Sequence, residues 1–218
     1  MRKPEICFVF GAGERTELPA LPRAEDFVIA ADGGIEYALD CGISADLAVG
    51  DFDSLTGPLP EGMEVVALHR EKDDTDMRAA LNIGIERGFG TFFIYGGLGG
   101  RIDHSIANMQ CIADLARLGA RAYLFGRDTV ATAISGGGIS FAAGAAGTVS
   151  VFSHTDTSRG VCETGLKYPL ADAVLTNTFP IGVSNEFIGE PAAISVQEGT
   201  LIVVYPVSAH PWTAGSQI

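Results

Sequence analysis

Four short aspartate motifs stand in the first half of the chain, with glycine in or beside most of them: Ala31-Asp32-Gly33-Gly34, Gly50-Asp51-Phe52-Asp53-Ser54, Lys72-Asp73-Asp74-Thr75-Asp76 and Gly99-Gly100-Arg101-Ile102-Asp103-His104. Closely spaced carboxylates beside flexible backbone suit a magnesium–polyphosphate site. Magnesium takes oxygen ligands, usually one or two carboxylates, with water and phosphate oxygens completing the shell. Asp51 and Asp53 are two residues apart, so in an extended segment both point to one face. Two carboxylates side by side repel unless a cation lies between them. A capped turn ending at Ser54 is the plainer alternative. Asp73, Thr75 and Asp76 open a helix, where such residues are ordinary caps; the same free N–H groups also suit a phosphate. Arg101 can fork onto phosphate oxygens, or simply pair with Asp103 at the surface.

The elements that must position these groups can be read from the apolar pattern. Continuous apolar runs at 6–10, 27–31, 47–49, 63–68, 92–95 and 122–125 alternate with helical stretches at 34–41, 75–87 and 105–118. Met77, Leu81 and Ile85 mark one helix face; Ile106, Met109, Ile112 and Leu115 mark another. Asp73 or Asp74 is the expected N-cap of the middle helix. Alternating strands and helices specify an α/β domain with a mostly parallel sheet, expected over residues 1–128. Each motif then follows a strand end or opens the next helix, the edge on which open α/β sheets bind ligands. From 129 to 218 helical periodicity gives way to short β-rich runs at 130–134, 148–152, 173–175, 193–196 and 201–205, with Gly136-Gly137-Gly138 read as a turn. This predicts a smaller C-terminal all-β sandwich.

Composition narrows the function. The chain has 218 residues, 47% of them hydrophobic, and a formal net charge of −13 with 14 Lys and Arg residues. That excludes the basic face a nucleic-acid partner needs. A strongly negative field instead favours a cationic small molecule. No apolar run is long enough to span a membrane. The first apolar run is too short for a secretory signal, so a cytoplasmic location is expected. Cys7, Cys41, Cys111 and Cys162 form no CxxC pair, and Cys7 and Cys111 read as buried thiols. The chain contains no GxxxxGK[ST] sequence, and its lysines are Lys3, Lys72 and Lys167. Phosphate charge must therefore be met by metal and arginine rather than by a P-loop lysine.

In this order the motifs resemble the thiamine pyrophosphokinase family. Asp32-Gly33-Gly34, Gly50 to Ser54, Asp73 to Asp76 and Gly97 to His104 match its DGG, GDFDS, DxTD and GxxGRxDH segments. Thr164 to Leu170 is similar to TGLKxxL, and Ser184-Asn185-Glu186-Phe187 to SN-x-[FY]. The resemblance implies a homodimer that transfers the pyrophosphoryl group of ATP to the thiamine hydroxyl, with thiamine held between subunits. It implies Mg²⁺ held by Asp51, Asp53, Asp73 and Asp76, and a catalytic set of Asp51, Asp53, Asp76, Arg101 and Asp103. ATP would meet Asp32, Gly33, Gly34, Asp73, Thr75, Gly100, Arg101 and His104, and thiamine would meet Ser184 and Asn185. His104, Asp76 and Asp103 all stand as candidates for the general base. A family tryptophan in the last strand has no counterpart in Leu201 to Tyr205, which leaves Trp212 as packing or tail. A DxD glycosyltransferase and a non-catalytic ligand-binding regulator are the competing readings. The first would release a nucleoside diphosphate, and the second would not turn over.

Overall fold

The computed structural model describes residues 5–52, 62–68 and 74–210. Asp53, Ser54, Asp73 and Trp212 lie outside them. The chain divides into two compact units: residues 1–111 with 124–127, and residues 112–123 with 128–218.

The first unit is built on parallel strands. In hydrogen-bonded order they are β5 (Thr91–Tyr95), β1 (Cys7–Phe10), β2 (Phe27–Ala31), β3 (Leu47–Gly50) and β4 (Glu64–Ala67). The Cys-Phe-Val-Phe run of β1 is buried on both faces, as a central parallel strand should be. Leu124–Arg127, the exit of β6 (Arg121–Phe125), belong to this unit, and Phe125 stacks on Tyr95 with ring centroids 4.7 Å apart. The helices are α1 (Gly34–Asp40), α2 (Asp76–Glu86) and α3 (Ile102–Arg117).

All six predicted strands and three predicted helices of this region are present, with two local differences. Thr75, not Asp73 or Asp74, caps α2: its side chain accepts from the Arg78 N–H at 3.2 Å. In α3, Ile106 is exposed. Ile112 and Leu115 are buried as expected, and Asn108, Cys111, Ala113 and Ala116 are buried beside them. Cys7 and Cys111 are buried thiols, as expected, and burial pushes the Cys7 thiol far up.

The second unit is all-β from residue 129. Its main sheet runs β10 (Leu170–Thr176), β9 (Thr157–Thr164), β12 (Ala192–Pro206), β7 (Thr129–Phe141), all antiparallel. β8 (Thr148–Ser153) pairs with β12 and with the short β11 (Asn185–Glu186). A 3-10 turn, Val207–Ala209, follows. Gly136-Gly137-Gly138 is not a turn but lies inside β7, opposite Val196 and Ser195. The irregularity falls on the partner, between Val196 and Thr200, so the two runs read separately at 193–196 and 201–205 are one bent strand.

Candidate active site

The exits of β1, β2, β3 and β5 lie on one edge of the first unit and surround a cleft of about 700 Å³. β1 sits between β2 and β5, so the chain leaves it in one direction and returns on its other side. This is the topological switch point at which open α/β sheets bind ligands. The floor is backbone packed on backbone. The Gly11 N–H donates to Tyr95 O at 2.8 Å, Gly13 N–H to Gly96 O at 2.8 Å and Glu14 N–H to Leu98 O at 3.2 Å. The Gly11-Ala12-Gly13 fragment thus spends two of its amides on the β5 loop.

Asp32 and Asp51 come together through strand register. Ala31 pairs with Val49, and the Asp32 N–H donates to Val49 O at 2.8 Å. Gly50 makes the approach possible, since a Cβ there would sit 3.1 Å from the Asp32 Cα. Asp32 and Phe52 both hold left-handed backbone, φ 48° and 54°. Such strain costs on the order of 1 kcal/mol or more per residue and collects at functional sites. Phe52 packs with Ala45 and Met63 against Ala30, Ile35 and Ala48, while its neighbour Asp51 lines the cleft. The start of α2 contributes Thr75 and Asp76, the β5–α3 connection Gly100 and Arg101, and the first turn of α3 His104.

Arg101 is largely exposed, and its guanidinium bonds Asp103 at 2.6 and 3.2 Å. That bond, helped by the His104 backbone N–H, holds the Asp103 carboxyl down at about 2. Asp103 lies outside the cleft lining, behind Arg101. Gly33 lines an adjoining pocket of about 220 Å³ with Arg15, Glu36 and Tyr37. Gly34 is buried at the start of α1. Sequence reasoning missed Glu14 and Asn108. Glu14 lines the cleft and pairs with Arg127. The Asn108 amide donates to Gly97 O at 2.8 Å and so ties α3 to the β5 loop. A polar residue inside an otherwise apolar helix stripe was its only signal.

Among the described residues no group of three or more His, Cys, Asp or Glu side chains is arranged to hold a metal by itself. Asp32, Asp51 and Asp76 nevertheless give the cleft an all-oxygen donor set. That suits magnesium, which takes few protein carboxylates when phosphate supplies the remaining oxygens.

In the second unit Ser184 and Asn185 face opposite ways. Ser184 is exposed, with φ 61°, and its N–H donates to Ser150 Oγ at 3.1 Å. Asn185 is buried, and its amide is fully used. Its Nδ2 donates to Glu163 Oε2 and to Tyr168 O, both at 2.8 Å. Its Oδ1 accepts from the N–H groups of Tyr168 at 3.0 Å and Glu186 at 2.9 Å. No donor or acceptor of the Asn185 side chain is left for a ligand in this arrangement.

A parallel α/β unit with an acidic cleft at its switch point, followed by an antiparallel β unit, defines a two-part phosphotransferase architecture. The Thiamin pyrophosphokinase catalytic domain matches residues 18–124, and the Thiamin pyrophosphokinase vitamin B1 binding domain matches residues 139–201. The chain belongs to the thiamine pyrophosphokinase family, a family of pyrophosphotransferase enzymes. It is 29% identical over 205 residues to the thiamine pyrophosphokinase of Bacillus subtilis strain 168, covering 90% of this chain and 96% of that protein. The crystal structure of the Bacillus subtilis thiamine pyrophosphokinase superposes with a TM-score of 0.83 at 24% identity, over 93% of this chain and 99% of that one. The Geobacillus thermodenitrificans enzyme gives 0.79 at 25% identity, over 94% and 100%.

Proposed function

We propose that the protein transfers the pyrophosphoryl group of ATP to the hydroxyl of thiamine, forming thiamine diphosphate and AMP in a magnesium-dependent reaction. The observation that carries this reading is the cleft itself: in a chain whose two parts match the two family domains, Asp32, Asp51, Asp76 and Arg101 line one space at the strand ends. Asp51, with Asp32 or Asp76 and with Asp53 and Asp73 from outside the described residues, would hold Mg²⁺. The metal would neutralise charge on the phosphate oxygens. Arg101 would exchange Asp103 for phosphate oxygens and stabilise charge on the transferring group. Gly100 beside it and Thr75 at the head of α2 let the phosphates come close to backbone. The proton of the attacking hydroxyl goes to Asp76 or His104. Asp103 is the third candidate once Arg101 has left it for the phosphates.

Residues 1–128 would carry ATP and residues 129–218 thiamine, with Ser184 presented to the ligand. Thiamine's permanent positive charge suits a chain of net charge −13. The second unit exposes Phe179, Ile181, Val183 and Ile188 within ten residues, the kind of apolar patch a second copy covers in a homodimer. No helix among the described residues is long and apolar enough to cross a membrane, and a cytoplasmic location is proposed.

The test is chromatographic: ATP and magnesium with and without thiamine, following AMP and thiamine diphosphate together. Matched appearance of both is expected. Asp51→Asn should lower it about a hundredfold or more, the scale of losing a charge-stabilising group. Thiamine-independent nucleotide release, or a nucleoside diphosphate in place of AMP, would overturn the reading.

A further inference from the structure

Glu163 is an acid where a β-sandwich normally places an aliphatic residue. It lies on β9, between β10 and β12, with backbone partners Leu170 and Ile194, and is 1% exposed. Oε2 accepts from Asn185 Nδ2 at 2.8 Å, while Oε1 is buried with no hydrogen-bond partner among the described residues. An orphaned buried carboxyl oxygen is destabilising, and a core selected for stability alone would replace it.

What it supports is a turn. One Asn185 side chain binds both the N–H and the C=O of Tyr168, replacing a strand partner for that residue. Next to this contact the same two segments are joined again: Lys167 N–H donates to Glu186 O at 3.0 Å, Lys167 Nζ meets Glu186 Oε1 at 2.9 Å, and Leu166 bridges Phe187. The Asn185 amide can hold Tyr168 in this way only in one rotamer and one amide orientation. The two backbone N–H donors fix which end is oxygen, and Glu163 takes the remaining N–H. Removing the acceptor leaves a buried donor unbonded and releases the amide to turn.

We propose that Glu163 is a positioning residue of the acceptor site: through Asn185 it locks the Lys167–Tyr168 turn against the Ser184–Asn185 step, and so shapes the surface that receives thiamine. The proposal rests on the assignment of thiamine to this unit. It makes Asn185 a strut and leaves recognition to the exposed groups it arranges, Ser184 and Tyr168 among them. Burial also pushes the Glu163 carboxyl above the ordinary range, opposed by the Asn185 hydrogen bond; a glutamine there would present an amide oxygen to the same Asn185 N–H.

The test is steady-state kinetics on the full-length enzyme, with KM for thiamine and for ATP measured separately in wild type, Glu163→Gln and Glu163→Leu, folding being checked by thermal melts. Leucine should raise the thiamine KM about tenfold, the loss of one buried hydrogen bond, and leave the ATP KM within about twofold. Glutamine should keep both near wild type. If the leucine variant does not fold, Asn185→Ala carries the same expectation from the other side of the bond. A folded leucine or alanine variant with unchanged thiamine KM, an equal rise in both KM values, or a glutamine variant as impaired as leucine would overturn the proposal. Wild-type enzyme without thiamine-dependent AMP defeats the functional reading and this inference with it. Normal wild-type turnover with any of the three variant results defeats this inference alone.

Discussion

Arg101 meets a carboxylate where the reaction would put phosphate, and that substitution shows what single residues can and cannot announce. That Asp32, Asp51, Asp76, Arg101 and His104 gather at one strand edge could be read from their motifs, because short motifs at strand ends are local features. Glu163 could not be read in this way. Its partner Asn185 is 22 residues away, and nothing around Glu163 in the sequence distinguishes it from a solvent-facing residue of an amphipathic strand. Asn185 was named from its motif as a thiamine contact, but its amide is committed inward. The Glu163 carboxyl also sets a pH dependence. Its folded pKa is raised by burial above the ordinary 4.5, so its contribution to stability is fully present below about that pH and is lost as pH rises through the folded value. Glu163→Gln should therefore gain on wild type as pH rises from 5 to 8, measured as the difference in urea midpoints. A variant-minus-wild-type difference that stays constant or falls as pH rises would show that burial does not raise the carboxyl's pKa in the fold.

At the scale of elements, the start of α1 is fixed by the end of β1. A Cβ on Gly34 would lie 1.9 Å from Phe10 O, inside the backbone of the central strand. Gly34→Ala should destabilise the protein by about 3 kcal/mol, the upper part of the overpacking range. Gly90→Ala, where a Cβ meets nothing within 4 Å, should change stability by less than about 0.5 kcal/mol. Equal urea midpoints for the two variants would show that the helix start yields easily. The strands and helices of the first unit were legible because parallel strands are apolar throughout and their helices carry a clean period. The second unit was legible only as β. β9, with Arg159 and Glu163 in it, lacks a simple alternation, and the triple glycine of β7 imitates a turn. A bend in the facing strand, not a reversal of the chain, is what those glycines accommodate.

At the scale of the whole molecule, a strongly acidic chain keeps an apolar segment exposed at Phe179, Ile181, Val183 and Ile188. If a second copy covers it, light scattering should give a mass near twice 22.7 kDa for wild type. Ile181→Asp should shift it towards the single chain and lower thiamine turnover. A wild-type mass of one chain would refute the assembly. The sequence put the motifs at strand ends, but the 700 Å³ cleft itself could not be outlined from it, because segments that topology, not order, brings together make it. That topology also bears on synthesis. β1 forms its parallel ladder with β5, residues 7–10 against 92–95, and the Gly11 and Gly13 amides find their acceptors on Tyr95 and Gly96. A nascent chain that has not yet emerged through residue 96 cannot close the cleft floor, whatever else it has folded. Premature termination anywhere before that point leaves the central strand with one open edge, a template for aggregation rather than a smaller enzyme.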